Sequence, residues 1–237
     1  FMKLHFKKFG QGKPLIILHG LLGMLDNWQT IGKILSQQFE VYLLDARNHG
    51  HSPHSDVFSY DAMAEDLLEF FNEQKVLSFG EDLGEVIIIG HSMGGKTAMK
   101  IAQLYPEKVE KLLVVDIAPK RYPVHHETTF EALLTVNLHE VKSRKEVQTM
   151  LEKYIPERYI LQFLLKNLYW KETSRLGWRF NLEAINKNIE KSGEAITSDV
   201  FYKRTLFLRG EKSDYILKGD FDLIKTFFPH SEIITIP

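Results

Sequence analysis

Apolar residues along this chain come in two rhythms. Short blocks run without polar interruption: Pro14-Leu15-Ile16-Ile17-Leu18, Val41-Tyr42-Leu43-Leu44, Val86-Ile87-Ile88-Ile89, Leu112-Leu113-Val114-Val115 and Leu206-Phe207-Leu208. Blocks of this length and β-branched content predict strands buried on both faces. Between them the spacing turns helical. Tyr60 to Gln74 puts Met63, Leu67, Phe70 and Phe71 on one face, and Lys96 to Tyr105 and Phe221 to Phe228 also read as helices. A further helix runs through Trp28, Ile31, Ile34 and Leu35, with Asp26 and Gln29 as its expected capping box. Leu4 to Phe9 alternates weakly, as an edge strand would, and Glu232 to Ile236 predicts a last strand. Strands alternating with helices predict a parallel sheet covered on both faces.

The alternation breaks after Asp116-Ile117-Ala118-Pro119. From about Lys120 to Ser198 there is helical periodicity and no convincing strand, longer than an ordinary loop. The expected organisation is therefore a sheet core over 1–119, a helical insertion over 120–204, and the remainder of the core over 205–237.

Composition removes several function classes. Lys and Arg number 30 against 31 Asp and Glu, which gives no reason to expect nucleic acid or an anionic membrane as partner. With no cysteine, disulfides, thiolate chemistry and Cys-based metal sites are excluded. Met2-Lys3-Leu4-His5-Phe6-Lys7-Lys8 carries charge where a signal peptide needs its apolar centre, and no apolar run reaches the ~20 residues of a membrane span. A cytoplasmic location is the expectation.

The chemistry centres on Gly90-His91-Ser92-Met93-Gly94-Gly95-Lys96-Thr97. Two patterns overlap here. G-x-S-x-G between a strand and a helix is a nucleophile elbow, which forces a serine hydroxyl out of a sharp turn at a helix N-terminus. Gly90-x-x-x-x-Gly95-Lys96-Thr97 is also a P-loop, for which Asp45 or Asp116 could hold magnesium. Neither pattern is decisive alone.

The remaining motifs separate them. His19-Gly20-Leu21-Leu22-Gly23, Asp45-x-Arg47-x-His49-Gly50-x-Ser52, the Ser92 elbow and the insertion after Asp116 together resemble the α/β-hydrolase superfamily. Asp26-Asn27-Trp28, Arg47-Asn48-His49-Gly50-x-Ser52-Pro53, Asp116-Ile117-Ala118-Pro119 and Trp178-Arg179-Phe180-Asn181-Leu182 resemble its small bacterial YbfF-type esterases. The P-loop reading explains none of these, and a P-loop usually follows the first strand of its sheet. The resemblance implies a mostly parallel α/β-hydrolase sheet with a helical lid. It also implies a cofactor-free, metal-free serine hydrolase acting on small-molecule esters or thioesters with apolar acyl groups.

In that reading Ser92 is the nucleophile, and the Met93 and Leu21 N–H groups form the oxyanion hole. Two carboxylates compete as triad acid. Asp116 stands where the YbfF-type esterases carry theirs; Asp214, in Gly210-Glu211-Lys212-Ser213-Asp214, matches the wider superfamily. The base is missing. The order Ser, Asp, His puts it after the last strand, so the histidine is expected beyond Pro237, the 237 residues being truncated before it. His230 is expected to cap a turn, and His91 to face away from Ser92. Arg47 reads as an ion pair holding its loop. His49, His51 and His54 with Asp56 fit no standard metal spacing, and His125-His126-Glu127 is not His-Glu-x-x-His. Two or three of Phe130, Leu134, Phe163, Leu164, Tyr169, Trp170, Trp178 and Phe180 are expected to touch substrate. A carbon–carbon bond hydrolase, a cofactor-free haloperoxidase or a non-catalytic ligand-binding module on the same fold would satisfy the same motifs.

Overall fold

In the computed structural model, described for residues 2–76, 78–79, 82–83, 85–123, 127–172 and 175–237, the apolar blocks become one sheet. Its seven strands are β1 (Phe6–Phe9), β2 (Lys13–Leu18), β3 (Phe39–Leu44), β4 (Val86–His91), β5 (Val109–Val115), β8 (Thr205–Gly210) and β9 (Ser231–Ile236), in the order β1-β3-β2-β4-β5-β8-β9. All neighbours are parallel except β1, which pairs antiparallel with β3 at one edge.

The central strands feed two cores because successive side chains point to opposite faces. Leu15, Ile17, Val41 and Leu43 pack on the side of Trp28 and Leu35, from the turn Leu25–Trp28 and helix α1 (Gln29–Leu35). Ile16, Leu18, Tyr42, Leu44 and Ile88 face the other way, into the cluster built by α2 (Tyr60–Glu73) and α3 (Met93–Leu104).

Between β5 and β8 lie α4 (Glu127–Thr135), α5 (Arg144–Leu151), α6 (Arg158–Leu165), α7 (Leu182–Lys187) and α8 (Ile189–Ser192). The absence of strand expected there is corrected by an antiparallel hairpin, β6 (Leu168–Glu172) with β7 (Arg175–Trp178). Helical spacing of its aromatics hid it, since a short two-stranded ribbon needs no alternating apolar face. Phe130, Leu133, Leu164 and Phe180 join the same large core as the sheet, so apolar burial fixes this segment to the body.

Two local expectations also change. Asp26 caps no helix. Its carboxylate takes Lys7 and Gln29 side chains, while Asn27 reaches back to the Met24 N–H at 2.8 Å and opens a 3₁₀ turn before α1. Helix α3 begins at Met93 rather than Lys96, directly behind Ser92. The two glycines that follow are poor helix formers in isolation, and tertiary contacts override that preference.

Candidate active site

Ser92 sits at the corner between β4 and α3 with φ 52° and ψ −117°. Its N–H is held by the Val115 carbonyl at 3.0 Å, and its own carbonyl receives the Lys96 N–H at 3.0 Å. The flanking glycines are dictated by approach rather than flexibility. A Cβ on Gly94 would lie 2.5 Å from the Leu18 carbonyl oxygen, and one on Gly20 would lie 2.8 Å from His91 Nδ1 and 3.4 Å from Ser92 Cβ. The Gly20 loop is therefore drawn tightly over the serine.

That loop is braced from three sides. His19 Nδ1 meets the Gly20 carbonyl at 2.8 Å and its Nε2 meets the Ala46 N–H at 3.0 Å. His49 Nδ1 meets the Arg47 carbonyl at 2.9 Å and its Nε2 meets the Leu22 N–H at 3.1 Å. A ring nitrogen that accepts from a backbone N–H is unprotonated, so both imidazoles are neutral with the proton on Nδ1. Burial agrees: it lowers His19 and drives His49 down to about 3, where the nearby His19 also opposes a second charge. From the insertion, Asn167 Nδ2 donates to the Leu22 carbonyl at 2.8 Å. Leu22 itself is held at φ 56°, fixed at both its N–H and its carbonyl. The Leu21 and Met93 N–H groups are left with no loop, cap or side-chain acceptor among the described residues, Met93 being the first helical residue.

Asp116 ends β5 with φ 54°. Its carboxylate accepts the Ser213 hydroxyl at 2.7 Å and the Gly210 N–H at 3.4 Å. Asp116 and Ser92 line one open cleft of about 420 Å³, together with Leu21, Trp28, His91 and Phe163. Asp214 is exposed and not among the residues lining that cleft; its neighbour Ser213 is the one that reaches Asp116. Ser92 also lines a second pocket, about 40 Å³, bounded by Met93, Ile117, Tyr122 and Gly193, with Leu21 and Tyr215 common to both.

The other residues singled out in the sequence fall into place one by one. His91 is among the residues lining the cleft, its ring lying against Gly20 and 6.3 Å from Trp28; burial lowers its pKa, with Asp116 opposing. It forms no hydrogen bond to Ser92 among the described contacts. His230 lies exposed in the turn before β9, at the opposite end of the sheet. Of the insertion's aromatic candidates, among the described residues, only Phe163 lines the cleft. Phe130, Leu164 and Phe180 are core, Leu134 and Trp170 are about half exposed, Trp178 stacks on Phe180, and Tyr169 carries the Arg179 guanidinium 3.8 Å from its ring centre. Arg47 makes a two-pronged pair with Asp66 at 2.7 and 2.8 Å, both buried, tying its loop to α2. His125 and His126 lie outside the described residues.

The P-loop alternative fails on geometry. The Lys96 side chain is 1% exposed, and its ammonium donates to the carbonyls of Lys120 at 3.0 Å, Gly193 at 3.1 Å and Glu194. A phosphate would need that charge free and facing solvent. Asp45 is likewise spent, its carboxylate accepting the N–H groups of Leu25 and His51 at 2.7 and 2.8 Å.

Residues 13–148 match the family model for the α/β hydrolase fold. The chain belongs to the α/β-hydrolase family. It is 39% identical over 240 residues to the sn-1-specific diacylglycerol lipase ABHD11 of Danio rerio, covering 96% of this chain and 72% of that protein. It is 30% identical over 219 residues to esterase YbfF of Escherichia coli, covering 92% of this chain and 82% of the other. A solved marine microorganism esterase superposes with a TM-score of 0.94 at 46% identity, covering 100% of this chain and 92% of that one. This α/β-hydrolase is a carboxylic ester hydrolase.

Three groups at the site of this α/β-hydrolase were not legible beforehand. Tyr215 lines both cavities from a loop with no motif, Ile31 reaches the cleft from a helix read only as amphipathic, and Asn167 looked like any polar residue between helical segments. None of the three carried a sequence signal of its own; Ile31 shares its stripe with Ile34, which is more exposed still.

Proposed function

We propose that the protein cleaves carboxylic esters or thioesters with small to medium apolar acyl groups through an acyl-enzyme on Ser92. The observation that carries this is Ser92, strained at a helix N-terminus, sharing one cleft with Asp116 and Leu21, while the Leu21 and Met93 N–H groups have no other acceptor among the described residues. Ser92 Oγ attacks the carbonyl carbon while its proton passes to a histidine. The Leu21 and Met93 N–H groups hold the oxyanion, the alcohol or thiol leaves with the proton, and water repeats the sequence to release the acid.

Asp116 is the acid that orients the histidine. Its place in the Ser92 cleft favours it over Asp214, which fits better as a solvated loop carboxylate. Neither histidine lining the cleft is placed to serve as that base. His19 has both ring nitrogens occupied and His91 is wedged under Gly20. Strand β9 runs to the same sheet edge, with Ile236 paired to Gly210 beside Asp116. The helical insertion, 120–204, acts as the lid over this edge, in a cytoplasmic enzyme that needs no cofactor.

A fluorophosphonate probe should label the full-length protein at Ser92, and Ser92→Ala should abolish labelling. The same variant should lower hydrolysis of p-nitrophenyl esters by on the order of 10⁴-fold or more. A folded protein that never labels would instead be a ligand-binding module.

A further inference from the structure

Lys96 belongs to no step of the reaction above, yet its charge is buried at a built position. Three acceptors satisfy the three donors of its ammonium: the carbonyl of Lys120, where the chain leaves the sheet for the insertion, and those of Gly193 and Glu194, where it returns. Tyr60 and Tyr122 present their rings to the same nitrogen, at 5.7 and 4.8 Å from the ring centres. The two chain crossings are also tied to each other. The Tyr122 N–H donates to the Gly193 carbonyl at 2.8 Å, and the Tyr60 hydroxyl donates to the Ser192 carbonyl at 2.6 Å. Burial pulls the lysine down to about 7, with Glu194 opposing and Arg121 assisting.

Tyr60, Tyr122, Ser192 and Gly193 are also walls of the 40 Å³ pocket beside Ser92. The space is a few water-sized positions, room for two or three carbon atoms. The 420 Å³ cleft shares Leu21, Ser92 and Tyr215 with this pocket and is about ten times larger, with Ile31 and Phe163 among its apolar walls.

We propose that Lys96 is a positioning residue that sets substrate size: by clamping both ends of the insertion it keeps the pocket beside Ser92 small, so the enzyme takes asymmetric esters with one short arm and one long apolar arm. This rests on Ser92 as the nucleophile.

Two series of esters on the full-length protein test it, one varying the acyl chain from two to eight carbons at fixed alcohol, the other varying the alcohol at fixed acetyl. In one series only, kcat/KM should fall at least tenfold between three and five carbons. Lys96→Met should shrink that fall to threefold or less and leave the profile of the other series parallel to wild type. Tyr60→Phe keeps the fold and removes only the tie to Ser192, and should relax the same series about twofold. The proposal is overturned if wild type tolerates length equally in both series, or if both variants scale every ester alike. Fluorophosphonate labelling runs alongside. A labelled Ser92 without size discrimination overturns this inference alone, whereas no labelling takes the nucleophile assignment down with it.

Discussion

Lys75 and Ser92 hold almost the same left-handed φ, 49° and 52°, for unrelated reasons. Lys75 closes α2. Its N–H bonds the Asn72 carbonyl and the Val76 N–H bonds that of Phe71, with Val76 buried beneath, so the strain is the ordinary cost of ending a helix. Ser92 is one of four strained residues at a single edge of the sheet. Leu22, Asn48, Ser92 and Asp116, with φ of 56°, 65°, 52° and 54°, follow β2, β3, β4 and β5, four adjacent parallel strands. The inserted segment shows no such non-glycine residue among its described positions. Each left-handed non-glycine residue costs about 1–2 kcal/mol, and a row of them persists only where packing over-determines the backbone. Here Asp45, His19, His49 and Asn167 supply the hydrogen bonds that do so. Hydrogen bonds concentrate along this edge, whereas the insertion adds its own buried apolar residues to the large core.

The comparison breaks first if the strained edge is not where the chemistry happens. Asp116→Asn should lower kcat/KM on the order of 10⁴-fold, while Asp214→Asn should leave it within about twofold, as exposed substitutions do. Equal losses, or the reverse order, would separate the strain from the chemistry.

Acid should attack the same edge. His49 has its folded pKa lowered to about 3 from an ordinary 6.5. Between these values the unfolded chain binds a proton that the folded chain does not, so the contribution is whole above pH 6.5 and is lost as pH falls towards 3. Unfolding in urea should show stability falling by about 1.4 kcal/mol per pH unit in that window from this group. His19, also lowered, steepens the slope. His49→Gln should remove its share; an unchanged slope would mean the imidazole is not buried neutral.

The smallest effect sharpens the other half of the contrast. Lys75→Gly should stabilise the protein by about 0.5–1 kcal/mol, since glycine adopts that backbone freely. Ester hydrolysis should not change. A thermal melt and a rate measurement suffice, and altered kinetics would mean the end of α2 is coupled to the cleft.

Much of this was legible because local pattern and final structure obey the same rule. The uninterrupted apolar blocks could only be strands with both faces covered, and alternate residues of Leu15 to Leu18 duly enter different cores. The elbow was legible because only small residues permit the approach of α3 to β2, whatever surrounds them. Failures came where a residue's partner is remote in sequence. Asp26 had a capping spacing, but Lys7 across the chain claimed its carboxylate. The insertion's aromatics had helix-like spacing, which cannot say whether a ring faces core, solvent or cleft, and of those described Phe163 alone met the cleft.

The sequence by itself determined the sheet, the position of the turn that carries Ser92 and the family, because those depend on short-range periodicity and on residues a few positions apart. Tertiary structure alone decided that Asp116 and not Asp214 enters the cleft, that His91 stays inside it, and that Lys96 is consumed by three carbonyls rather than offered to a phosphate. The physical reason is the same for the two charged groups. A charged or polar side chain goes where its desolvation is compensated, and the compensating groups, Ser213 for Asp116 and the 193–194 carbonyls for Lys96, come from chain almost a hundred residues away.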